Sequence, residues 1–165
     1  MARSLNIKSL VPRKNAATRQ GYFKPNNPQK YLGDINKIIY RSGWEKKFCT
    51  FCDINDRVLS WSSESIQVPY THPIEGKTKP YNVDFYLKIK KDTGEIMEYI
   101  AEVKPAKKLL KPVMPRTKVN EKRMTAHIEQ TKEYLINMHK FQAAKQWAAE
   151  RGWEFIIITE AFLYG

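Results

Sequence analysis

From Tyr81 to Lys91 the chain alternates apolar and polar residues, and a second run of strand character, Glu95 to Lys104, follows the turn residues Asp92, Thr93 and Gly94. A period of two marks a strand with one buried face, and a short turn between two such runs predicts an antiparallel hairpin. Tyr81, Val83, Phe85, Leu87 and Ile89 then share one face, and Asn82, Asp84, Tyr86, Lys88 and Lys90 the other. This hairpin commits the middle of the chain to a sheet, so the segments on either side must cover it.

Those segments carry helical signals. Ser42 with Glu45 three residues later forms a capping-box pattern ahead of Trp44, Phe48, Phe51 and Cys52 at helical spacing, which predicts a helix from Gly43 to Ile54. Val58 to Tyr70 reads as a strand or a bent strand pair. Helical patterning resumes at Asn120 and runs to Leu135, where Asn137 can cap a second segment whose stripe of Phe141, Ala144 and Ala148 ends at Gly152. Trp153 to Thr159 is nearly all apolar and suits a strand covered on both faces. The predicted order is α-β-β-β-α-α-β, an α/β domain with a mixed sheet over 37–165. Residues 1–36 lack periodicity and carry Pro12, Pro25 and Pro28 among basic residues, so they read as a basic N-terminal arm.

At 165 residues the chain is long enough to build its own core. Its longest uncharged apolar run, Phe155 to Ile158, falls far short of a membrane span, and no apolar stretch follows Met1 to Ser4. The expectation is a soluble intracellular protein without a membrane partner. The formal net charge is +12. Nine Lys/Arg face one acid in residues 1–41, and eight face one acid in residues 104–123, leaving the remainder slightly acidic. Such concentration points to a polyanionic partner, DNA, because each phosphate neutralised releases counterions. The candidate contacts are Lys107, Lys108, Lys111, Arg116, Lys118, Lys122 and Arg123 in the loop, and Arg13, Lys14 and Arg19 in the arm.

Glu102 and Lys104 are two apart in one strand and project together, and the hairpin can bring Asp84 alongside Glu102. Two carboxylates about 4 Å apart repel by about 4 kcal/mol at an effective dielectric of about 20, which favours proton sharing or a divalent cation. Mg²⁺ takes oxygen ligands and keeps waters, as phosphodiester hydrolysis requires. Lys104 beside such a site can orient or deprotonate the water, or neutralise charge building on phosphorus. Glu45 lies on the face of its helix that carries Phe48, Cys49 and Cys52, so it points inward with a charge needing compensation, or serves the helix start, or both.

Glu45 in the run Arg41 to Phe48, Asp84 in Tyr81 to Tyr86, and Glu102-Val103-Lys104 together resemble the PD-(D/E)xK nuclease fold. Tyr40 to Phe48, Leu59 to Glu64 leading to Ile66 to Tyr70, and Lys140 to Glu160 resemble the head-completion nucleases of contractile-tailed bacteriophages, which are similar in turn to TnsA-type transposon endonucleases. The resemblance spans roughly Tyr31 to Glu160. It implies a restriction-endonuclease-like mixed β-sheet flanked by helices, with Asp84 and Glu102 as metal ligands and Lys104 as the catalytic lysine. Glu45 becomes a ligand or its support, and the Val103 carbonyl completes coordination. The cofactor implied is Mg²⁺ or Mn²⁺. The role implied is cleavage of packaged DNA at the portal vertex before tail attachment, in the host cytoplasm during assembly or in the virion, with capsid portal and neck proteins as partners. One departure is Pro80, four residues before Asp84 instead of adjacent. The rivals are a recombination or transposition nuclease and a non-catalytic head or neck protein retaining the fold.

Other chemistry is poorly supported. Cys49 and Cys52 have zinc or redox spacing but lie inside an amphipathic helix with no second pair, so they read as core thiols. His72, His127 and His139 are scattered. Trp61, Trp147 and Trp153 read as packing residues. No phosphate-cradling glycine loop occurs, so no nucleotide cofactor is expected.

Overall fold

The computed structural model describes residues 20–165. Arg13 and Lys14 of the arm, and Arg19, lie outside the described residues. Strands β1 (Gly21–Tyr22) and β2 (Ile39–Tyr40) form a small antiparallel pair. Helix α1 (Gly43–Ile54) leads into β3 (Val58–Thr71), β4 (Thr78–Lys90) and β5 (Ile96–Val103). A 3-10 segment, Ala106–Leu109, and an extended stretch lead to helix α2 (Glu121–Ala149), followed by β6 (Glu154–Ile158) and α3 (Glu160–Tyr164). The main sheet has the order β3-β4-β5-β6, antiparallel except for β5 and β6. A parallel neighbour requires a crossover, and α2 is that crossover. The result is the expected mixed α/β architecture. No helix among the described residues is long and apolar enough to cross a membrane.

The helices pack on both sides of the sheet. Phe48, Cys49 and Cys52 of α1 pack with Trp61, Phe85, Leu87, Ala101 and Ile158. Phe141, Ala144 and Ala148 of α2 pack with Val68, Tyr81, Val83, Ile100 and Trp153. Strand β6 is covered on both faces, with Ile156 and Ile158 in the first cluster and Phe155 and Ile157 in the second, and among the described residues no strand pairs with its outer edge. Both cysteines are free and buried, and burial pushes their thiols well above the usual range, which keeps them inert. Trp61 and Trp153 are buried packing residues, and Trp147 packs edge-on against Trp153.

Two expectations are corrected and one element is added. Two helices are one: α2 runs unbroken through 29 residues, and Asn137 lies buried in its middle instead of capping a second segment. No Pro or Gly interrupts Glu121–Ala149, so nothing in the backbone forces a break. The run of β4 does not keep one face either, since Tyr81 and Val83 join the α2 cluster while Phe85 and Leu87 join the α1 cluster. The pairing shifts between Ser63 and Ile66, so that two residues of β3, Glu64 and Ser65, lie opposite Asp84, with Glu64 at φ 49°. A bulge of this kind sharpens the twist, which turns the far part of the β3–β4 ribbon toward α2. Finally, α3 was not expected; it caps the α1 side through Phe162 against Phe48 and Phe51.

Residues 20–36 dock on the domain through one buried acid. Asp53, in the last turn of α1, is 1% exposed and accepts from the backbone amides of Asn26 (2.7 Å) and Asn27 (2.9 Å). A carboxylate is disfavoured at a helix C-terminus, and Lys30 offsets this by donating to the Asp53 and Asn55 carbonyls, each at 2.8 Å. Tyr31 then stacks edge-on against Trp61 at 4.8 Å between ring centroids. Replacing Asp53 by Ala leaves two amides without their charged acceptor and is expected to cost about 2 to 4 kcal/mol, read as a lower urea midpoint at unchanged m-value. A midpoint unchanged within error would mean that this docking contributes nothing to stability.

Candidate active site

The site forms where β4 and β5 part. Phe85 pairs with Ala101, so Asp84 and Glu102 face each other one step beyond the last paired residues. The ladder does not continue there, because the Asp84 side chain takes over: its Oδ2 accepts from the Val103 backbone amide at 2.9 Å. The bulge opposite Asp84 is what lets β4 diverge at this point. Glu102 is 7% exposed and has both oxygens engaged. Tyr81 donates its hydroxyl to Oε2 at 2.6 Å, and Lys104 Nζ lies 3.0 Å from Oε1. Lys104 in turn sits 5.2 Å from the centre of the Phe141 ring on α2.

Glu45 enters from α1 and performs both tasks the sequence left open. Its amide donates to Ser42 Oγ at 3.1 Å, the Ser42 hydroxyl donates to Glu45 Oε1 at 3.1 Å, and the Arg41 amide donates to Oε2 at 2.7 Å. The same carboxylate lies close enough to Glu102 and Glu64 for their charges to act on it. Arg41 turns its guanidinium onto Glu64, with Nη2 2.9 Å from Oε2.

The charge balance of this cluster is unfavourable to ionised Asp84 and Glu45. Burial, followed by the charges of Glu102 and Glu45, pushes Asp84 well above the usual carboxylate range; the Val103 amide and Lys104 only partly offset this. Burial is likewise the main cause that raises Glu45. Tyr81 is raised far enough, by burial and then by Glu102, to remain a hydrogen-bond donor throughout the accessible pH range. Glu45, Asp84, Glu102 and Lys104 are therefore one electrostatic unit.

The basic loop leaves directly from this unit. Lys107 and Lys108 stand on the 3-10 segment after Pro105, and Lys108 pairs with Glu133 of α2 at 3.0 Å. Arg123 ties the loop to the start of α2 by donating to Thr117 Oγ1 (2.9 Å) and the Lys118 carbonyl (3.1 Å). Lys111, Arg116, Lys118 and Lys122 are exposed. With a rise of about 1.5 Å per residue, Arg123 stands roughly 25 Å along α2 from Lys140, so the loop is brought to the site at one end only.

Lys140 is the residue that sequence reasoning missed. It lies 5.6 Å from the Tyr70 ring centre and 5.4 Å from that of Tyr81, and is half-buried. Burial lowers its pKa, while Glu102 and Asp84 pull it back up and Lys104 pushes it down. A lysine in mid-helix gives no signal in the sequence; only the packing of α2 on the ribbon reveals that it faces the same carboxylates.

The family described as "TnsA-like endonuclease N terminal" matches residues 55–160, most of the chain and all of the sheet. The chain belongs to the TnsA-like endonuclease family. It is also 37% identical over 142 residues to the "Head completion nuclease" of Enterobacteria phage T4, covering 85% of this chain and 90% of that protein. The TnsA-like match begins after α1 and so includes Asp84, Glu102 and Lys104 but not Glu45.

Proposed function

We propose that the chain is a divalent-metal-dependent DNA endonuclease that acts during phage head completion, on packaged DNA at the portal vertex before the tail attaches. The observation that carries this reading is the meeting of Asp84 with Glu102 and Glu45, three carboxylates that share one nearby ammonium, Lys104, their other partners being neutral hydroxyls and amides. That donor set is all oxygen and carries excess negative charge, so it suits a hard cation. Among the described residues no group of three or more His, Cys, Asp or Glu side chains is already arranged to hold a metal. Asp84 and Glu102 are the residues assigned to hold Mg²⁺ or Mn²⁺, with the Val103 carbonyl beside them and Glu45 as ligand or support. When bound, the ion supplies positive charge at the phosphate under attack.

The remaining steps belong to the chain. Lys104 leaves Glu102 Oε1 and turns its ammonium to the scissile phosphate, where it offsets charge that grows in the transition state. Tyr81 keeps Glu102 oriented through Oε2, and Lys140 adds a second positive charge on the α2 side. One phosphorus–oxygen bond forms to the attacking water oxygen, which gives up a proton to solvent, one bond to a deoxyribose oxygen breaks, and the departing oxygen takes up a proton in return. Loop and arm cations bind neighbouring phosphates, with little base readout. Deleting residues 1–19 removes Arg3, Lys8, Arg13, Lys14 and Arg19. The slope of log affinity against log salt is expected to fall in magnitude by about 2 to 4, read from duplex binding in EDTA. An unchanged slope would assign the arm to a protein partner instead.

The biological half of the proposal is tested on DNA-filled heads assembled without this protein. Addition of the parent chain is expected to restore tail joining, whereas Glu102→Gln is expected to fail. Equal competence of the two would make the chain a structural head or neck component.

A further inference from the structure

A second polar recess lies next to the site. The segment after Lys104 runs beside the middle of α2, and between them is a cleft of about 310 Å³ lined by Lys107, Lys111, Gln130, Tyr134 and Asn137, with the Lys108–Glu133 pair in its wall. Asn137 forms its floor. This side chain is 6% exposed, among the described residues it has no hydrogen-bond partner, and its amide is not sealed from solvent but opens into the cleft. Nearly enclosed amides are normally paired within the protein, because protein partners replace the hydration that packing removes. The Asn137 amide is unpaired at the cleft floor and open to whatever enters the cleft.

The lining specifies what enters. Among the described residues, Lys107 and Lys111 have no carboxylate within ion-pair distance, which leaves two cations for phosphate. Tyr134 is half-buried and offers an aromatic ring to a base. Asn137 and Gln130 each present one donor group and one acceptor, the complement of a base edge. A base still paired in a duplex has that edge occupied and cannot reach the floor. Position supports the same conclusion: Asn137 and Phe141 are one turn apart on one face of α2, about 6 Å along its axis, and Phe141 carries the Lys104 ammonium.

We propose that this cleft captures one unpaired nucleotide of the DNA strand that passes through the active site, so that the enzyme's substrates are strands with a frayed or single-stranded end. This rests on the nuclease reading for the identity of the strand, but its test does not depend on cleavage. In EDTA, the full chain is titrated with a blunt duplex and with the same duplex carrying a short single-stranded overhang. The parent is expected to bind the overhang about tenfold more tightly, one stacked and hydrogen-bonded base being sufficient for that margin. Asn137→Leu, which keeps the buried volume, is expected to reduce the preference to about twofold or less while leaving blunt-duplex affinity unchanged. Tyr134→Ala serves as a second variant should the first fail to fold. Equal parental affinity for both duplexes, or a preference that survives in both folded variants, overturns the inference. Displacement of the overhang by micromolar deoxynucleoside monophosphate also overturns it, by assigning the cleft to a free nucleotide. A parent that cleaves DNA while the variants keep the overhang preference refutes the cleft alone. A parent that never cleaves but shows the preference refutes only the nuclease reading.

Discussion

Asp84→Asn and Glu102→Gln are each expected to lower divalent-metal-dependent cleavage by about 10³-fold or more, because each removes one of the charges proposed to hold the ion and orient the reacting phosphate. Folding survives, and in the case of Asp84 it improves. Burial and the neighbouring carboxylates raise the Asp84 pKa in the native state. Between the ordinary carboxylate value and that raised value, the native chain keeps a proton that the unfolded chain has released. Stability therefore falls as pH rises through that window, and the full penalty remains above it. The amide never ionises, so metal-free Asp84→Asn is expected to melt above the parent at about pH 8, with the difference shrinking toward about pH 4. Added Mg²⁺ raises the melting point of the parent but not of the variant. Duplex affinity in EDTA holds or increases, since a negative charge near the phosphate is gone. A variant less stable than the parent at about pH 8, or one equally protected by Mg²⁺, would contradict the role assigned to Asp84.

Lys104→Met is expected to separate binding from turnover. Its ammonium is held 3.0 Å from Glu102 Oε1 in the resting site, so removing it takes away a cation that competes for the same oxygen. Divalent-metal affinity is therefore retained or raised. Met keeps an unbranched stem of similar length on the Phe141 side of the site, so the fold is expected to survive. Cleavage under single-turnover conditions falls by about 10²- to 10⁴-fold, with DNA affinity changed little, as expected for a group whose contribution is made in the transition state. A rise in the apparent DNA dissociation constant with an unchanged cleavage rate would instead make Lys104 a simple phosphate contact.

The local parts of this architecture are legible in the sequence because their causes are local. The α1 boundaries follow from the Ser42–Glu45 cap, and the hairpin follows from alternation around Asp92 to Gly94. That hairpin brings Asp84 opposite Glu102, and Lys104 shares the strand face by parity. The parts that were not legible depend on distant partners. The β3 bulge at Glu64 and Ser65 re-aims half of β4, and no turn residue announces it. Asn137 reads as a cap because Asn is favoured there, whereas tertiary packing places it in the floor of a cleft inside an unbroken helix. Nothing in the sequence marks Asp53, and only the return of Asn26 and Asn27 across the domain explains its burial. Lys140 resembles any solvated helical lysine until α2 lies across Tyr70 and Tyr81.

The most direct measurement is the conversion of supercoiled plasmid to nicked and linear forms by the parent chain with Mg²⁺, with Mn²⁺ and with EDTA, run beside Glu102→Gln. The parent is expected to cleave with a divalent cation and not in EDTA, and the variant to cleave under no condition. Cleavage that persists in EDTA, cleavage by the variant at the parental rate, or an intact plasmid with every divalent cation would contradict the proposed function.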